Sequence, residues 1–190
     1  DVSVIHQALG KVGDEIYWHA NGIDHSIILA RTEDDVKSIG REKTLPEDLT
    51  DIEKAKMILL ELADDVGMTV RKQGKEGRTV HIRLKYSDFR SVTRQMTVAA
   101  TSVTREIYQA GCSLLEQNWS AGRPVRLIGI SVSGFHEHTF SEQLSLFDQR
   151  QVNIRSDKNK QIDKAMDKIR DKYGSEKITL ATLAEAEKKR

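Results

Sequence analysis

Three patterns in this 190-residue sequence predict an α+β fold: a four-stranded sheet in split β-α-β order, with two helices on one face. Ile52, Ala55, Leu59, Leu62 and Val66 recur at helical spacing, and Val103, Ile107, Ala110 and Leu114 repeat such a stripe farther along. Between them Val80, Ile82, Leu84 and Tyr86 alternate with His81, Arg83 and Lys85, the mark of a strand with one face in a core and the other cationic. The composition, 38% hydrophobic and 31% charged, suits a globular protein, and no apolar run approaches the roughly 18 residues of a membrane span. A lone cysteine, Cys112, excludes an intramolecular disulfide and a multi-cysteine zinc site, and points to the cytoplasm. The opening Asp1-Val2-Ser3 has neither an initiator Met nor signal-peptide character, so the chain is expected to be a piece of something larger.

The elements follow in order. Residues 35–45 lack helical periodicity and run into Pro46, which suits an irregular first strand ended by a residue that cannot donate to a ladder. Thr50-Asp51-Ile52-Glu53 has capping-box spacing and opens the first helix, for which Gly67 is the predicted stop. After Gly74 and Gly77 comes the alternating strand, then a hairpin-sized connection at 87–90. Residues 91–99 form the return strand, with Val92, Met96 and Val98 in register and Arg94 among them. Ser102 is the predicted cap of the second helix, which ends near Asn118 and Trp119. Pro124 opens a last strand over 125–133, with Ile128, Ile130 and Val132 on one parity and Gly129, Ser131 and Ser133 on the other. The order β-α-β-β-α-β is ferredoxin-like.

Charge sharpens this reading. Net charge is only +1, yet residues 1–70 carry 7 basic and 15 acidic side chains, whereas residues 71–95 carry 8 and 2. A basic block therefore sits in the middle strands. The sheet face without helices is expected to hold Lys37, Arg41, Arg83, Lys85, Thr93, Arg94, Gln95 and Arg126, beside the small Ser38, Gly40, Gly129 and Ser131. Cations next to Gly and Ser let backbone N–H groups approach a phosphate chain that side chains neutralise. The competing reading is an ordinary solvated strand face. Stacking aromatics, which a single-strand RNA binder of this topology would show, are absent from these positions.

At these residues a resemblance appears. Val36-Lys37-Ser38-Ile39-Gly40-Arg41-Glu42, the helix after Pro46, Thr93-Arg94-Gln95-Met96-Thr97 and Arg126-Leu127-Ile128-Gly129-Ile130 resemble the little-finger domain of Y-family translesion DNA polymerases, over about 100 residues with every element in order. Trp18-His19-Ala20-Asn21-Gly22-Ile23-Asp24 is similar to the end of that family's thumb. The resemblance implies an end of thumb at 1–30, a linker at 31–36, a little finger at 36–135, a second linker at 136–155 and a helical tail at 156–190. It also implies that Lys37, Ser38, Gly40, Arg41, Thr93, Arg94, Gln95, Arg126 and Gly129 grip template and primer phosphates. Arg83 and Lys85 join them from the strand pattern.

The family's palm carboxylates and fingers precede Asp1 in family order, so this chain is expected to be non-catalytic. Mg2+ is implied only for the parent's catalytic core, and no cofactor for this fragment. Glu33-Asp34-Asp35 and Asp64-Asp65 are adjacent acids that point apart, unlike a two-metal site. His136 and His138 lack further ligands nearby, and Cys112, inside a helix, reads as a buried or half-buried thiol.

Gln143-Leu144-Ser145-Leu146-Phe147 places a polar anchor and three apolar residues in a segment with no adjoining pattern to pack in. An extended peptide of this kind suits a hydrophobic cleft on a partner. It resembles the pentapeptide by which bacterial polymerases bind the sliding clamp. Residues 156–173 show Ile162, Ala165, Met166 and Ile169 at helical spacing, which predicts an amphipathic helix ending at Gly174. Its sequence is similar to tails of the UmuC-like branch in Gram-positive bacteria. The expected function is thus a DNA-holding, clamp-tethering part of a lesion-bypass polymerase in DNA repair and the SOS response, with damaged template/primer duplex and the sliding clamp as partners, no membrane, and a monomeric state. A protein-interaction adaptor without a nucleic-acid role and an RNA-binding module are the alternatives.

Overall fold

The computed structural model describes residues 1–27, 36–120, 122–135 and 150–187, with the backbone alone at 150–155 and 185–187. The chain divides into two units, 1–35 and 36–190. In the first, α1 (Val2–Leu9) and α2 (Lys11–Ala20) meet at Gly10, whose φ of 64° turns the chain between them. His6 Nδ1 lies 2.8 Å from Asp14 Oδ2 across the pair.

The second unit is a four-stranded antiparallel sheet with the order β1-β4-β2-β3, made of β1 (Ser38–Leu49), β2 (Gly77–Tyr86), β3 (Ser91–Thr101) and β4 (Val125–Phe135). Helices α3 (Ile52–Lys72) and α4 (Thr104–Asn118) pack on one face. The predicted stripes are the core: Ala55, Leu59, Leu62, Val66, Ile107 and Leu114 meet Val80, Ile82, Leu84, Ile128, Ile130 and Val132. Each fully buried Leu, Ile or Val contributes about 1.5–3 kcal/mol through removal from water.

Several boundaries differ from expectation: β3 and β4 each run two residues farther, a helix begins at Arg150 inside the expected linker 136–155, and three predicted stops or caps are displaced. The first strand does not stop at Pro46 but runs to Leu49; its pairing with β4 is interrupted between Thr44 and Leu49, and Pro46 falls in that irregular stretch of an edge strand, where its missing N–H costs no ladder bond. Gly67 is not a stop either. α3 continues to Lys72, and Gly67 is where α3 touches α4: a Cβ there would lie 2.7 Å from Thr104 Oγ1. The cap of α4 is not Ser102. Thr101 Oγ1 accepts from Val103 N at 3.0 Å and donates to Glu106 Oε2 at 2.5 Å, while Asp163 Oδ2 accepts from Thr104 N at 2.8 Å.

Asp163 belongs to α5 (Arg150–Tyr173), and α5 departs most from the sequence reading. Of the predicted apolar stripe only Met166 is buried; Ile162 and Ile169 are exposed. The buried positions are Asp163, Met166, Asp167 and Arg170, so the helix docks through charge. Arg71 of α3 grips Asp167 with two parallel bonds, Nε to Oδ2 at 2.6 Å and Nη2 to Oδ1 at 3.0 Å. Its Nη1 also donates to Asp163 Oδ2, Ser102 O and Thr104 Oγ1. Arg170 Nη2 donates to Asp64 Oδ2 at 2.7 Å, and its Nε to Ile178 O at 3.2 Å. Lys160 pairs with Glu76 and Lys72 with Asp171 at the rim. Burial pushes the Asp163 carboxyl up from its usual value, against the pull of the Thr104 N–H and Arg71. After a single 3-10 turn at Ser175–Lys177, α6 (Ala181–Glu187) closes the described chain.

Candidate nucleic-acid interface

The face opposite the helices follows from register. Four rows cross β3, β2, β4 and β1: Ser91-Lys85-Leu127-Thr44, Thr93-Arg83-Gly129-Glu42, Gln95-His81-Ser131-Gly40, and Thr97-Thr79-Ser133-Ser38. All but Leu127 are polar, charged or glycine. The centre of this face is a shallow concavity of about 560 Å³, bordered by Lys37, Ser38, Gly40, His81, Arg83 and Ser131 among others.

Its floor is small because it has to be. A Cβ on Gly40 would sit 2.6 Å from the Cβ of Ser131, its register partner, so no side chain fits there without parting the strands. Gly129 leaves open the gap between its neighbours Arg83 and Glu42, and Arg83 Nη1 reaches across it to Glu42 Oε2 at 3.3 Å. Both side chains of that pair are about half exposed, at 50% and 51%. In the next row His81 Nε2 and Ser133 Oγ are in hydrogen-bond contact at 2.7 Å.

The expected residues do not all share this face. Ser38, Gly40, Arg83, Lys85, Thr93, Gln95 and Gly129 lie on it, and Lys37 borders the concavity just before β1. Arg94 does not. It pairs with Ile82, shares the parity of Val92 and Met96, and donates through Nε to Asn118 Oδ1 at the end of α4, at 3.0 Å. Arg41 borders the concavity but alternates with Gly40 and Glu42, taking the parity of Ile39 and Lys43; Lys43 bonds to Glu61 of α3, and the Arg41 charge acts on Asp65 of the same helix. Strand alternation is the reason in both cases. Arg126 sits where the β2–β4 register shifts, between the pairs Lys85–Leu127 and Tyr86–Val125, and its guanidinium lies 5.2 Å from the ring centre of Phe89.

Glu42 and Phe89 were not anticipated. Glu42 was legible, since it shares the parity of Gly40; Phe89 had no strand periodicity to betray it. The pentapeptide 143–147, His136 and His138, and Glu33-Asp34-Asp35 lie outside the described residues. Among the described residues no group of three or more His, Cys, Asp or Glu could hold a metal ion. Asp64 is committed to Arg170, so Asp64-Asp65 does not fit a divalent cation. Cys112 is half-buried, and burial pushes its thiol up, away from a reactive thiolate. No helix among the described residues is long and apolar enough to cross a membrane.

A four-stranded sheet covered by helices on one face, with the other face open, glycine-floored and cationic, defines an α+β module with one exposed sheet surface. The chain belongs to the impB/mucB/samB family, whose C-terminal domain matches residues 36–146. It is 50% identical over 182 residues to a DNA polymerase IV of Alkaliphilus oremlandii (strain OhILAs), across 94% of this chain and 46% of the relative. A DNA polymerase IV of Clostridium kluyveri (strain ATCC 8527 / DSM 555 / NBRC 12016 / NCIMB 10680 / K1) is 49% identical over 183 residues, across 95% and 46%. The chain thus spans about half the length of the curated relatives it matches. Among solved structures, a complex of beta-clamp processivity factor and little finger domain of PolIV is similar at a TM-score of 0.46 and 20% identity, covering 58% of this chain and 98% of that one.

Proposed function

We propose that this chain is the DNA-holding part of a translesion DNA polymerase acting in repair, and that its open sheet face grips the sugar-phosphate backbone of a template/primer duplex. The observation that carries this reading is the row Thr93-Arg83-Gly129-Glu42 with the glycine-floored concavity around it. A phosphate chain can approach the backbone at Gly40 and Gly129, with Arg83, Lys85 and Lys37 supplying neutralising charge and Thr93, Gln95 and Ser38 supplying donors. Glu42 holds Arg83 loosely in the absence of an anion, and a phosphate would replace it. Such contacts ignore base identity, so binding is sequence-tolerant and weakens steeply with salt. That suits an enzyme that must hold duplexes of any sequence, damaged ones included. Polymerisation and its Mg2+ belong to the portion of the relatives that this chain does not span.

The same reading makes 143–147 a tether to the sliding clamp, supported by the Gln-Leu-Ser-Leu-Phe sequence at the end of the family match over 36–146. The two claims separate experimentally. Arg83→Glu should weaken duplex binding in a salt titration and spare clamp binding. Replacing Gln143, Leu146 and Phe147 with Ala should do the reverse. Unaltered duplex affinity in the first variant would remove the sheet face from the interface.

A further inference from the structure

The hairpin between β2 and β3 carries a residue in the wrong conformation for its size. Tyr86 and Arg90 close the loop through Tyr86 N to Arg90 O at 2.9 Å, leaving the three residues Ser87, Asp88 and Phe89 at its tip. The third position of such a loop turns left-handed and is ordinarily a glycine. Here it is Phe89, with φ 64°, the sole non-glycine with positive φ among the described residues. A bulky side chain in that region is strained. Nor does the ring gain from burial, because Phe89 is 62% exposed. Burial therefore offsets neither the backbone strain nor the exposed aromatic surface.

The ring is not isolated, however. Lys85 Nζ lies 4.9 Å from its centre and the Arg126 guanidinium 5.2 Å, so two cations already address the aromatic. Lys85 is also the end of the open face, two residues from Arg83 on the same side of β2. Asp88, the acid of the loop, is engaged by Arg123 at 2.9 Å, and Arg90 approaches it at 3.8 Å. The tip is therefore an aromatic plane within a net-positive patch, continuous with the surface proposed to follow phosphates.

Along its length a duplex offers such a ring only base edges and phosphates, because its bases are stacked on one another. An unpaired nucleotide offers a flat, uncovered base with a phosphate on each side. We infer that Phe89 is a stacking platform for an unpaired DNA base where single strand leaves the duplex, with Lys85 and Arg126 holding the flanking phosphates. This rests on the duplex-binding reading above and adds to it a site for single strand.

The experiment compares binding by the 190-residue chain of a blunt duplex, the same duplex with a short single-stranded extension of either polarity, and that extended duplex with abasic sites in the overhang. The wild-type chain should prefer one extended duplex to the blunt one by about tenfold, as expected for one stacked base. The preference should vanish on the abasic extension, whose phosphates are intact. Phe89→Ala should abolish the preference and leave blunt-duplex affinity unchanged, and Phe89→Trp should keep it. Phe89→Gly separates binding from folding, since glycine relieves the left-handed strain: its melting temperature should hold or rise while the preference is lost. Equal binding of blunt and extended duplex by the wild-type chain, or a preference that survives Phe89→Ala, overturns the platform. Loss of stability in Phe89→Gly assigns the residue to the fold and also overturns it. Failure of the parent reading looks different: no blunt-duplex binding at low salt, whatever residue 89 is.

Discussion

Two arginines, one on each side of the same sheet, show what burial does to a charge. Arg83 on the open face meets Glu42 at 3.3 Å with both side chains half in water. Arg71 behind the helices has a side chain only 6% exposed and spends all three guanidinium nitrogens on Asp163, Asp167, Ser102 and Thr104. The exposed pair is worth about 0–1 kcal/mol and exchanges its partner readily. The buried set cannot exchange, because removing either side strands a charge away from water. One face of the domain thus carries a cation whose partner can be exchanged, and the other is fixed by charges that are locked together.

That contrast can be broken most forcefully at Arg71. Arg71→Ala leaves Asp163 and Asp167 facing each other without a cation and should lower unfolding stability by about 3–5 kcal/mol, measured by urea denaturation. A loss under about 1 kcal/mol would mean that α5 is not docked in solution. The next largest effect belongs to the open face. Arg83→Glu should weaken duplex binding about tenfold at low salt and lower the slope of log affinity against log salt by about one for the lost cation, with little change in melting temperature.

Arg94 sharpens the comparison, because it lies on an edge strand but on the helix side. Arg94→Ala should leave duplex affinity near wild type and cost no more than about 1 kcal/mol through loss of the Asn118 bond. Equal losses of DNA binding in the Arg83 and Arg94 variants would erase the distinction between faces. The smallest effect is a pH dependence. Burial raises the Asp163 pKa, so ionising it costs the folded state more than the unfolded one. Its contribution to stability is therefore most favourable below the ordinary carboxylate pKa and declines as pH rises through the raised one. Arg71, Asp167 and Asp64 face the group, and Asp163→Asn should flatten the decline in melting temperature over that window.

Much of this was legible in the sequence. Alternation in 80–86 and the stripes of α3 and α4 specify the core because apolar spacing is dictated by helix and strand geometry. The same alternation places Arg94 with Val92 and Met96, and a reading strict about parity excludes it from the open face and admits Glu42. The docking of α5 was not legible, because its buried positions are Asp163, Asp167 and Arg170, which local pattern assigns to solvent. Their partners, Arg71 and Asp64, lie about a hundred residues earlier, and nothing in the intervening sequence connects them. Phe89 was missed for another reason. Its significance lies in a backbone angle, which residue identity alone does not reveal.

The first free amide of α4 is closed by a side chain 59 residues downstream, and this sets a schedule for the growing chain. As the polypeptide leaves the ribosome, all four strands are present once Phe135 has emerged, yet Arg71 still lacks both of its carboxylates and Thr104 N its acceptor. The domain is completed by its last long helix and not by its last strand. A message that stopped anywhere between β4 and Asp163 would yield a sheet with its helix-covered core in place, while Arg71 would lack both carboxylates and the helix that shields it from water.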